Sequence, residues 1–371
     1  MAASLGAYVL LGVATTMLGP LLPLLQKHWM LADSQAGALF IGQFLGGFAG
    51  GIASGEITRW STPRLTSRFG LLLIAAGFVA LAWGQLWMSV AAIALYGFGI
   101  GLAMPAITLT VVELSGEQST RALNLLNFCW ALGAIVAPGV FLRIVAGDLG
   151  KLRTTLLASS VALTAASCFL PAIAARPAAP LENPLHIGRE DLRKVLSCAM
   201  LIFAYVGLEN GIAGWMPSLA QRVAGFPAGK VALLQTLFWT SFLLGRMLTS
   251  MLIRPGAERR LLSFTLIAAT AGTALLLSSR EEPLVFAAGL LLGAGMAPVF
   301  PTAVSLLSAK VSDEWRPRLG WVFAAGGLGG AVLPYAIGAL SSAASSLRTG
   351  MSLCFVAEAV LFATLVDTKR W

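Results

Sequence analysis

One carboxylate stands out for its surroundings. Glu209 is the only charge in the run LIFAYVGLENGIAGWMPSLA, residues 201–220. A charged side chain in the middle of a bilayer span costs roughly 2.5–3.5 kcal/mol on insertion scales, so it persists where it faces a wet cavity, meets a cation or stays protonated. A carboxyl whose surroundings alternately dry and wet is poised to bind and release a proton. The plainer alternative is a structural carboxyl bonded to backbone or to Asn210. Glu358 is the other acid well inside an apolar stretch. It lies on the last such stretch, where a structural role is expected.

Polar and aromatic residues at similar depth extend the candidate site. They are Gln43, Asn127, Trp130, Asn210, Gln235 and Trp239. Amides offer donors and acceptors to hydroxyl groups, and indole faces pack against the apolar face of a sugar ring. The same residues equally suit interhelical hydrogen bonding or lipid contact. Taken with Glu209 they favour a neutral polyhydroxylated solute over an anion, because fixed cations are nearly absent from the central stretches. Arg246, in Gly245-Arg246-Met247, is the exception. It is expected toward the cytoplasmic end of its stretch, at the level of Glu113 and Glu117, where an ion pair would gate one face. Snorkelling to the interface is the competing role.

Other chemistries find little support. Cys129, Cys168, Cys198 and Cys354 each sit alone in an apolar segment, so neither a disulfide nor a metal site is expected. His28 and His186 lie in loops without a ligand partner at suitable spacing. An intramembrane enzyme needs a nucleophile–base pair or a metal set, and the apolar stretches hold no His and only isolated Cys. No enzyme and no cofactor are expected. Gly42, Gly46, Gly50 and Gly97-Phe98-Gly99 do not form a nucleotide loop, since no strand precedes them. Small residues there let helices approach closely.

The elements that must position these residues are helices in lipid. Of 371 residues 57% are hydrophobic and 11% charged, with a mean hydropathy of +0.83, whereas soluble domains carry roughly 25% charged residues. Stretches near the spanning length of about 20 residues run through 4–27, 35–58, 70–87, 89–112, 121–145, 153–175, 193–219, 229–253, 261–279, 283–308, 318–343 and 348–366. The net charge of +9 is spread thinly through loops, which argues against nucleic acid. The first stretch begins near Met1 without a basic leader, and is expected to be a retained span. With both termini inside, cytoplasmic segments hold 16 Lys and Arg against 8 outside. That bias predicts cytoplasmic termini in a cell inner membrane.

The fold class expected is therefore an all-α membrane protein: twelve transmembrane helices in two pseudo-symmetric six-helix bundles, at 1–175 and 193–371. The polar, proline-rich stretch Arg176–Lys194 supplies the cytoplasmic linker, 176–192. The halves repeat. At a constant shift of 196 residues Gly97 matches Gly293, Gly99 Gly295, Pro105 Pro301, Glu117 Asp313, Gly133 Gly329 and Pro138 Pro334. Two parallel repeats joined by a cytoplasmic linker are how transporters with rocking halves are built.

Several strings resemble the major facilitator superfamily over essentially the whole chain, and within it the fucose/glucose–proton symporter branch. They are Gly19-Pro20-Leu21-Leu22-Pro23, Ser34-Gln35-Ala36-Gly37, Tyr205-Val206-Gly207-Leu208-Glu209 leading to Gly214-Trp215, and Gly293-Ala294-Gly295-Met296-Ala297-Pro298-Val299-Phe300-Pro301-Thr302. The resemblance implies secondary active transport by alternating access, with a sugar as small-molecule substrate, a proton as coupling ion and a monomer in the bilayer. Glu209 is the residue expected to carry the proton. A drug or amphiphile exporter of the same superfamily is the alternative, and a transport-derived sensor a more distant one.

Overall fold

The computed structural model describes residues 1–145, 147–171, 189–252, 256–308 and 320–367. Most of the expected linker therefore lies outside the described residues, as does Asp313. Every regular element among the described residues is helical. Among the described residues eleven helices are long and apolar enough to cross a membrane, and twelve if one bent pair is a single span.

That pair is α1 (Ala2–Thr16) and α2 (Leu18–Trp29), bent by 42°. Pro20 has no N–H to return to the Thr16 carbonyl, so the ladder is interrupted at this level. The Thr15 and Thr16 hydroxyls bond back to the Leu11 and Gly12 carbonyls at 2.8–3.0 Å, a pattern that bends helices. Next come α3 (Asp33–Trp60), α4 (Pro63–Trp83), α5 (Leu86–Ser115), α6 (Ser119–Pro138) and α7 (Leu149–Phe169). Thr62 caps α4 by accepting from the Leu65 N–H, with Pro63 at the first position where no donor is needed. Beyond Pro138, α6 loosens into a π-turn over Gly139–Ile144. The second run is α8 (Arg189–Arg222), α9 (Ala228–Leu252), α10 (Glu258–Ser278), α11 (Glu282–Met296), α12 (Val299–Ser308), α13 (Gly320–Ala344), α14 (Leu347–Met351) and α15 (Leu353–Asp367). α8 thus begins at Arg189, a few residues ahead of the span expected at 193.

The helices form two compact units. Unit 1 holds Met1–Leu31 and Ala38–Pro180, and unit 2 holds Ala32–Gly37 and Leu181–Trp371. The six residues 32–37 depart from the division read in the sequence. Their backbone lies against α13, where a β-carbon at Gly338 would stand 2.3 Å from the Asp33 carbonyl oxygen. Asp33 also pairs with Arg222 at 2.9 Å and accepts a hydrogen bond from the buried Ser341 hydroxyl. The Ser34 N–H donates to Ser342 Oγ at 2.8 Å.

Inside each unit the same glycines let backbones meet. A β-carbon at Gly97 would stand 2.2 Å from the Gln43 carbonyl oxygen, and one at Gly293 2.2 Å from that of Phe238. Gly99 faces the Gly70 carbonyl and Gly295 that of Thr265, both at 2.6 Å by the same measure. Gly133 faces Val9 at 2.1 Å and Gly329 faces Phe203 at 2.0 Å. The repeat seen in the sequence is thus a repeat of contacts, built where only glycine fits.

Candidate functional site

In unit 2 the spacing along two helices gathers one group of side chains. Tyr205 and Glu209 are four residues apart on α8, hence on one face. On α9, Gln235, Trp239, Phe242 and Arg246 recur at steps of four, three and four, a single stripe. Arg246 and Tyr205 both interact electrostatically with the Glu209 carboxyl. The Tyr205 hydroxyl is buried close to both charged groups. The guanidinium lies over the Phe242 ring, 4.3 Å from its centroid, and Arg246 Nε donates to the Ala297 carbonyl at 3.3 Å. Glu209 and Arg246 are half-buried.

Aromatic rings complete the group. Trp239 meets Phe242 and Phe238 edge to face, with centroids 5.5 and 5.0 Å apart. The Tyr205 ring faces Phe300 of α12 at 6.1 Å. Trp239 and Gln235 are 3% and 1% exposed, so they back the charged pair. Gln235 Nε2 donates to the Ala213 carbonyl at 2.6 Å, tying α9 to α8. Asn210 Nδ2 donates to the Val206 carbonyl in its own helix at 2.8 Å.

Unit 1 treats its polar residues differently. Gln43 is 6% exposed and both ends of its amide are engaged. Nε2 donates to the Thr15 carbonyl at 2.9 Å, and the Tyr96 hydroxyl donates to Oε1 at 3.0 Å. Trp130 Nε1 donates to Thr15 Oγ1 at 2.9 Å. Tyr8 shares its hydroxyl with Thr108 and the Met104 carbonyl. These bonds tie α1 to α3, α5 and α6. Asn127 is exposed, and Glu113 half-buried. The Glu117 side chain lies outside the description.

The structure therefore brings Arg246 within electrostatic reach of Glu209, two residues that sequence reasoning had assigned to separate roles. Tyr205 and Phe242 were missed, although each stands four residues before one of those charges. Glu358, 1% exposed, accepts from Thr273 Oγ1 at 2.5 Å, as a structural carboxyl would.

The family model described as the Major Facilitator Superfamily matches residues 5–317. The chain belongs to that superfamily. Among curated relatives is a sodium-dependent glucose transporter 1 of Danio rerio, 22% identical over 374 residues, covering 89% of this chain and 62% of that protein. The chain thus spans about three-fifths of the relative's length. Among solved structures, a point mutant of the nucleoside transporter NupG superposes with a TM-score of 0.82 at 12% identity, over 99% of this chain and 98% of its own. A point mutant of the E. coli fucose:proton symporter FucP does so with a TM-score of 0.64 at 20% identity, over 99% and 98%. At such identities the likeness is one of fold. This superfamily member is a multi-pass membrane protein.

Proposed function

We propose that the chain is a proton-coupled symporter of a small neutral polar solute, a hexose-type sugar, working by alternating access with both termini cytoplasmic. The observation that carries this reading is the Glu209–Arg246 pair set among aromatic rings in the middle of unit 2. With both groups charged the two are neutral overall, which suits an uncharged solute. When Glu209 takes up a proton, Arg246 loses its counter-charge and is left with unused N–H donors. Hydroxyl oxygens of a sugar satisfy those donors, with the buried Trp239 and Phe242 rings backing the guanidinium. Proton and sugar then favour each other's binding by the same free energy. The names of the relatives, which include glucose and fucose transporters, agree with this class of substrate.

The experiment is uptake of labelled hexose by proteoliposomes under an imposed pH gradient, with a sodium gradient in parallel. Accumulation driven by the pH gradient is expected. Accumulation under sodium alone would replace the coupling ion, and no flux of any hexose would remove the sugar. A lipophilic cation in the same assay tests the exporter alternative.

A further inference from the structure

The position of Arg246 depends on a backbone acceptor that the chain leaves open. α11 stops at Met296 and α12 starts at Val299. In an uninterrupted helix the Ala297 carbonyl would accept from the N–H of residue 301. Residue 301 is proline, which has no N–H to give. Ala297 is wholly buried, so water does not serve the carbonyl, and a buried carbonyl left unsatisfied is strongly disfavoured. Arg246 Nε fills the vacancy. Gly245 makes the reach possible, since a β-carbon there would stand 2.8 Å from the Ala297 methyl.

Unit 1 supplies the contrast. Pro105 matches Pro301 and leaves the Gly101 carbonyl without its helical donor. Gly50 and Gly245 face equivalent residues, Phe98 and Ala294, which aligns Gly51 with Arg246. The proline-opened carbonyl recurs in both units, but only unit 2 aims a guanidinium at it.

We propose that Pro301 is a positioning residue for the Glu209–Arg246 pair. By withholding an N–H it reserves the Ala297 carbonyl for Arg246 Nε, and ties the guanidinium to the break between α11 and α12. The strength of the pair then follows the bend at that break. This rests on the reading of Glu209 and Arg246 as the coupling pair, and concerns what holds one member in place.

The test is a double-mutant cycle on the purified full chain in detergent, with melting temperature as readout. Glu209→Gln and Arg246→Gln are made singly and together in three backgrounds: native, Pro301→Ala and Pro298→Ala. In the native background the double variant should lose clearly less than the two single losses added. Pro301→Ala restores an N–H that competes for the Ala297 carbonyl, and the non-additivity should fall by half or more. Pro298→Ala returns an N–H to the Ala294 carbonyl instead, and should leave the non-additivity unchanged. Equal non-additivity in all three backgrounds would overturn the proposal. If Pro301→Ala does not yield folded protein, Arg246→Lys decides, because it keeps the charge but lacks the Nε–H. Because a lysine without the Nε tether does not recover the coupling, the Glu209→Gln by Arg246→Lys cycle should keep more than half of the non-additivity of the Arg246→Gln cycle, and simple additivity there would equally overturn the proposal. The cycle contains neither sugar nor gradient. An absence of hexose flux would therefore remove the substrate reading and leave this result standing, and the converse also holds.

Discussion

The two units carry the same glycine contacts but spend their buried polar groups differently. With Val9 and Phe203 equivalent through their contacts to Gly133 and Gly329, Thr15 falls six residues on in unit 1, where Glu209 falls in unit 2. Thr15 is a neutral hub that accepts from Gln43 and Trp130. At the matching places unit 2 has Phe238 for Gln43, Gly326 for Trp130 and Arg246 for Gly51. Neutral groups that satisfy each other fasten helices together. Opposite charges that a proton can uncouple make a switch. On the proposed reading unit 1 holds and unit 2 couples, on one shared scaffold.

The strongest way to break that division is Glu209→Gln. A one-unit pH gradient is worth about 1.4 kcal/mol, or about tenfold accumulation in a one-to-one symport. The variant should accumulate nothing above equilibrium while still exchanging labelled hexose across the membrane. Full accumulation would move the coupling proton elsewhere. Gly133→Ala and Gly329→Ala probe the shared scaffold, and should each destabilise by roughly 1–3 kcal/mol or more, to similar extents, because the intruding β-carbon meets backbone. Markedly unequal losses of melting temperature would show that the contacts do not repeat in strength. Gln43→Leu strands the Tyr96 hydroxyl and should cost about 1–3 kcal/mol of stability with the accumulation ratio retained. A loss of coupling there would transfer part of the switch to unit 1. The smallest effect is expected at the exposed pair Lys230–Glu282 in unit 2. Lys230→Ala should change stability by less than about 1 kcal/mol and leave transport unaltered.

The spans were legible because twenty apolar residues admit few other structures, and Glu209 was legible because it interrupts one of them. Its partner was not. That contact joins two helices, and no one-dimensional rule fixes their relative rotation, although the stripe from Gln235 to Arg246 and the Tyr205–Glu209 step were both available as signals. Gln43 shows the reverse error of emphasis. An amide at the right depth looks free for a ligand until Tyr96, fifty-three residues away, is seen to occupy it. Pro301 was noted as a repeat marker, yet its chemical effect lies four residues back, on a carbonyl that a sequence does not display.

Asp33 has a consequence in time. Its partner Arg222 lies 189 residues later in the chain, and Ser341 308 residues later. At ribosomal speeds of about 5–20 residues per second, the Asp33 carboxylate waits roughly 10–40 s after its own synthesis before Arg222 is made. During that interval the start of α3 has none of its unit 2 partners. The first two spans are therefore inserted with one end provisional, and the C-terminal half completes a contact that the N-terminal half began.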